Sequence, residues 1–118
     1  MGFQPAPGPA LVGIKLLHTL VWLFFVVCIV AIPIAAKAEQ FQWVLILSGL
    51  VGVECLVLAT NQGRCPFTDM AGRYTDARQD NFDIYLPLWL ARYNKHIFGT
   101  LFVLGELYAL KCWISAGR

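Results

Sequence analysis

Two histidines and two carboxylates stand in or at the edges of long apolar runs: His18, Glu54, His96 and Glu106. An ionisable side chain near the centre of a membrane span costs at least about 2.5–3.5 kcal/mol on insertion scales. Such a residue needs a partner or a task. His18 and Glu54 are matched in depth. A helix that enters the membrane near Leu11 carries His18 about 10 Å inward, and a second that leaves near Asn61 holds Glu54 about 10 Å from the same face. The two runs are antiparallel neighbours joined by a short link, so the spacing predicts a His18–Glu54 hydrogen bond or ion pair. That pair either locks helix register or accepts a proton or ligand. Glu106 falls near the middle of the last run, beside Gly105, and reads as a proton relay or a contact with a partner subunit.

His96 permits a second chemistry. Haem b in membrane proteins is often held between histidines on two helices. If the last helix enters near Leu88, His96 lies about 12 Å deep, level with His18, and the two could ligate one haem. If the helix instead begins at His96, that residue follows Lys95 at the water interface. Cys65 is the one cysteine of four in a polar stretch. Arg64 beside it favours the thiolate, so residues 63–69 read either as a redox or lipidation point or as a tucked-in turn with Cys65 filling a gap. None of the cysteines forms a CxxC, no metal-ligand spacing appears, and no nucleotide loop, serine elbow, HExxH or paired catalytic carboxylates are present.

The elements that must position these residues follow from composition. The chain has 118 residues, 58% hydrophobic and 14% charged, with a mean hydropathy of +0.64. A soluble domain is typically about 45–50% apolar and about 25% charged, and so short a soluble chain could not bury this much apolar surface. The expected class is all-α: an integral membrane protein with about three transmembrane helices plus a short interfacial or surface helix. The spans are read at 11–36, 41–60 and 96–114, with a polar loop at 61–83 and an interfacial segment at 84–95 that either lies flat or extends the last helix. Residues 1–10, rich in Pro and Gly, read as an irregular arm, without the Ser or Thr that a myristoylation signal needs at Ala6. Ala36-Lys37-Ala38 resembles a signal-peptide cleavage site, but the run from Thr19 to Ala36 outlasts an h-region of about 7–15 residues and is read as a span.

Within the spans, Ser48-x-x-x-Gly52 and Gly105-x-x-x-Ala109 are small-residue pairs that admit close helix approach. Phe41 and Trp43 suit an interfacial aromatic belt. In the loop, Pro66 fixes a turn and Thr68 is a fair N-cap for a surface helix toward Gln79. With three spans, Lys15, Arg64, Arg73, Arg78, Arg92 and Lys95 fall on the side of the N-terminus and long loop, against Lys37, Lys111 and Arg118 on the other. The imbalance places the N-terminus and the loop 61–95 in the cytoplasm. A net charge of +2 without any long basic run argues against nucleic acid as a partner.

The pattern resembles a family of uncharacterised small bacterial membrane proteins with a Cys-Pro-Leu-Thr signature after the second span. The similarity runs through most of the chain. Lys15-Leu16-Leu17-His18 is similar to the family's Leu-His, and Glu54 to a polar residue near the end of its second span. Cys65-Pro66-Phe67-Thr68-Asp69 follows the signature with Phe67 for Leu, and Tyr85-Leu86-Pro87-Leu88 resembles its Tyr-Leu-Pro element. Met70-Ala71 departs from the Glu-Asn that often continues the signature. The resemblance implies a three-span fold in a bacterial inner membrane and no defined activity.

Three functions are open to such a chain. One is a non-catalytic accessory subunit of a larger membrane complex, with lipid and other membrane subunits as partners. The second is a haem-binding or electron-transfer protein using His18 and His96. The third is a proton-coupled transporter or oligomeric channel component using His18, Glu54 and Glu106. The first is favoured, because the chain has little extramembrane mass in which to hold a soluble substrate.

Overall fold

The computed structural model describes residues 8–117; of the irregular arm read over residues 1–10, residues 1–7 lie outside that range, and Pro9 and Ala10 belong instead to the first helix. Among the described residues the protein is all-α: α1 is Pro9–Lys37, α2 Phe41–Thr60, α3 Pro66–Ala71 and α4 Leu88–Ser115. Helices α1, α2 and α4 are each long and apolar enough to cross a membrane. Their outward side chains confirm the solvent: Leu45 is 75% exposed, Ile114 66% and Ile34 65%. Large apolar groups left that open belong against lipid tails, since soluble monomers rarely expose wide contiguous apolar patches.

α1 starts on Pro9, whose preset φ and missing N–H cost nothing in a first helical turn. It ends at Lys37, where Gln40 N–H bonds the Ala35 carbonyl and Glu39 takes a left-handed φ of 59°. Three residues therefore reverse the chain into α2.

α4 selects between the two alternatives open for residues 84–95. Residues 88–95 are neither a separate interfacial segment nor loop. They are the first two turns of the last helix, whose hydrogen bonding begins with Ala91 N–H on the Pro87 carbonyl. The polar residues Arg92, Asn94, Lys95 and His96 hid these turns by lowering their hydropathy. Hydropathy measures solvent preference, whereas Lys and Arg are good helix formers. The last span is accordingly Leu88–Ser115 rather than 96–114.

The surface helix is also shorter than expected and capped elsewhere. Pro66 occupies its first turn, Cys65 stands at the N-cap position with extended backbone, and six residues later the helix stops at Gly72. It does not continue to Gln79, because side chains there take up backbone groups that a helix would use. Thr75 Oγ1 accepts the Ala77 N–H, and Arg78 donates to the carbonyls of Gly72, Thr75 and Ala77.

The packing falls into two compact units. The first comprises Met1–Trp22 and Val57–Tyr93, and the second Leu23–Leu56 and Asn94–Arg118. The second unit is cored by Ile32, Ala36, Val44 and Ala109, with a further cluster of Cys28, Ile29 and Val51. Phe102 and Leu47 pack against both clusters. Ala36 and Ala109 are small, so the helices that carry them come close. The first unit packs the loop against the start of α1, with Leu11, Ala71, Asp83 and Ile84 buried.

Candidate functional site

The polar centre of the first unit is built on one turn of α1. His18 Nδ1 donates to the backbone carbonyl of Asp83 at 3.0 Å. A carbonyl only accepts, so this contact puts a proton on Nδ1. The same nitrogen lies 3.6 Å from Asp83 Oδ2, and the two side chains are only 12% and 8% exposed. Thr68 Oγ1 donates to that carboxyl oxygen, and the Phe67 ring covers the imidazole at 5.5 Å between centroids. One residue on, Thr19 donates to the Lys15 carbonyl at 2.7 Å and accepts the Tyr85 N–H at 3.0 Å. Lys15 Nζ stands 4.4 Å from the centre of the Tyr85 ring.

These contacts share one physical purpose. Non-helical backbone packed at membrane depth must find partners in protein, since lipid offers none. His18 and Thr19 satisfy the carbonyl of residue 83 and the amide of residue 85, the two loop groups laid against α1. Asn81 Nδ2 further ties the loop to the Leu86 carbonyl at 2.9 Å. The order of the side chains also limits the chemistry. In a nucleophilic triad the histidine bridges hydroxyl and carboxylate. Here the carboxylate of Asp83 stands between Thr68 and His18, so the Thr68 hydroxyl is tied to an acid and not to a base.

The sequence spacing paired His18 with Glu54, but the hydrogen bond of His18 runs to Asp83 in its own unit. Asp83 is a site residue that the sequence reading missed. Its one signal is position: it is the last charge before the apolar stretch 84–91, where a carboxyl is drawn toward the membrane with its backbone. Glu54 is half-buried on α2 in the other unit, and His96 is exposed on α4. His18 and His96 thus belong to different units. Among the described residues no group of three or more His, Cys, Asp or Glu could hold a metal ion.

In the second unit, Ser48 Oγ donates to Glu106 Oε1 at 2.5 Å. Two residues that the sequence presented separately, one as a packing position and one as a buried carboxyl, are partners across α2 and α4. Gly105 and Ala109 are buried, and a Cβ at Gly105 would lie 3.5 Å from Pro33 Cδ and 3.8 Å from Ile32. Gly52 is different: it is exposed, with nothing within 4 Å of where a Cβ would stand. Among the described residues, Ser48 is a hydrogen-bond donor and Gly52 approaches no other helix.

Compared with known proteins, the chain matches no family model, no curated protein and no solved structure.

The turn around Cys65 and Pro66 forms a third polar cluster, on the loop. Cys65, half-buried, precedes Pro66 at the start of α3. Asp69 Oδ1 accepts from Arg64 Nε at 3.0 Å and Oδ2 from Asn61 Nδ2 at 3.0 Å. The Asn61 bond, foremost, draws the Asp69 carboxyl below its ordinary range; desolvation opposes it, and the charges of Arg64 and Arg73 add to the lowering. Asp69 thereby ties the end of α2 to α3, while Thr68 ties α3 to Asp83.

Proposed function

We propose that this chain is a small non-catalytic integral membrane protein, an accessory subunit that packs against other subunits of a larger membrane complex through the open face of α2. One observation carries the reading: Gly49 and Gly52 are exposed one turn apart on α2, with nothing within 4 Å of either missing Cβ. Without a hydrophobic drive between helices in lipid, close backbone approach at small residues is a main source of association. The polar groups lend support. Buried side-chain nitrogens and oxygens among the described residues all have partners, and the His18–Asp83–Thr68 and Ser48–Glu106 contacts hold this chain together. The basic residues of the loop favour a cytoplasmic N-terminus and loop, and a bacterial inner membrane is the address we assign.

Photo-crosslinkers placed at residue 52 and, for comparison, at the exposed Leu107 of α4 test the proposal in native membranes. We expect discrete adducts of fixed mass from position 52, and Gly52→Leu to abolish co-migration with the larger assembly in mild detergent. A chain that stays monomeric in membranes and crosslinks only to lipid at position 52 would overturn the reading.

A further inference from the structure

The loop carries an open cleft of about 380 Å³, with Arg64, Arg73 and Arg78 in its wall beside Thr68, Asp69, Gly72 and Phe82. The three guanidiniums are in different states. Arg64 is neutralised, since its Nε is bonded to Asp69. Arg78 is fixed but not neutralised: Nη1 donates to the carbonyls of Thr75 at 2.7 Å and Ala77 at 2.6 Å, and Nη2 to that of Gly72 at 3.1 Å. Its plane also lies 5.0 Å from the centre of the Phe82 ring. Carbonyls orient a guanidinium without cancelling its charge, and of five N–H donors two remain. The absence of a side chain at Gly72 admits this arrangement, for a Cβ there would stand 3.3 Å from Arg78 Nη2. The Arg73 guanidinium makes no hydrogen bond or ion pair among the described residues, although its charge acts on Asp69. The one carboxylate in the wall, Asp69, already accepts from Arg64 and Asn61.

We infer that this cleft binds a phosphate group, held between Arg73 and the pre-oriented Arg78. Arg73 and Arg78 both line the cleft and neither guanidinium is bonded to a carboxylate, and an oxyanion with several acceptor oxygens can take donors from both, with the fork geometry that guanidinium and phosphate share. The volume falls within the range of small-ligand sites, about 300–1,000 Å³. The cleft belongs to a segment that leaves one membrane helix at Thr60 and joins the next at Leu88, flanked by the exposed aromatics Tyr85, Trp89 and Tyr93. Aromatic belts mark the headgroup level. A phosphodiester of an anionic lipid and a free phosphate both have the required chemistry. This site is independent of the accessory-subunit reading.

The test uses the full chain in nonionic detergent, with inorganic phosphate, phosphatidylglycerol and phosphatidylcholine as probes. Calorimetry reads phosphate, and native mass spectrometry reads retained lipid. We expect retention of phosphatidylglycerol above phosphatidylcholine, displacement by phosphate, and a loss of about tenfold or more in affinity for Arg73→Gln, the size of one lost charge-assisted hydrogen bond. The Arg73 guanidinium makes no hydrogen bond or ion pair among the described residues, so this variant should keep the fold, which circular dichroism checks. Lys111→Gln makes the same charge change on α4 and should leave binding intact. Phosphate binding without lipid retention assigns the site to a soluble phosphate, and retention of phosphatidylglycerol assigns it to lipid. If neither binds, or if R73Q and K111Q weaken binding equally, the inference is overturned.

Discussion

His18 donates to the backbone carbonyl of Asp83, and its removal should show what that bond holds. His18→Ala leaves the Asp83 carbonyl buried without its donor, which costs about 1–3 kcal/mol. Amide exchange across residues 81–87 in detergent should accelerate, and unchanged exchange there would contradict the anchoring role. Asp83→Asn keeps an acceptor for Thr68 and should be mild, whereas Asp83→Leu should approach the cost of losing His18. Asp69 gives a pH dependence of definite sign. Its folded carboxyl titrates below the ordinary value of 3.8, so the stability it contributes is complete above that value and is lost as pH falls through the lower folded one. Protection of residues 61–72 should therefore be flat from neutral pH to about 5 and drop below about 4. Asp69→Asn should remove the acid-dependent step.

At the scale of elements, the meeting of α1 and α4 within the second unit depends on Gly105. An added methyl sits at ordinary contact distance from Pro33, so Gly105→Ala should be tolerated. Gly105→Leu must displace the helix and should cost about 1–3 kcal/mol, as overpacking does, read as a lower melting temperature in detergent. The α1–α2 turn holds a correctable strain. Glu39 has a φ of 59°, a conformation costing a residue with a Cβ about 1–2 kcal/mol. Glu39→Gly should be stabilising by up to about that amount, less what glycine adds to the entropy of the unfolded chain. A neutral or destabilising result would show that Glu39 makes a compensating contact.

The whole molecule is governed by its solvent. Leucines, isoleucines and valines line the outward surfaces of all three long helices, so in buffer without detergent the chain should aggregate instead of folding as a monomer. Analytical ultracentrifugation decides this, and a folded monomer in plain buffer would remove the membrane reading altogether. Orientation has its own check. A single cysteine at Cys65, the other three replaced, should react with impermeant maleimide only after spheroplasts are opened, and a cysteine placed at Lys37 should react before. The reverse pattern would invert the topology that the basic residues favour.

The sequence alone determined what depends on composition along the chain. Three apolar runs of spanning length, the short link between the first two spans, the break at Asn61-Gln62-Gly63 and the turn at Pro66 are local, and each was legible because solvent preference and backbone restriction act residue by residue. The tertiary structure alone decided which polar groups meet. Depth matching could bring His18 level with Glu54, but it had no means of folding the loop against α1, where Asp83 arrives 65 residues later in the chain. Ser48 and Glu106 meet 58 residues apart for the same reason. In an apolar medium each buried polar group takes whichever partner packing delivers, and packing is a property of the whole chain.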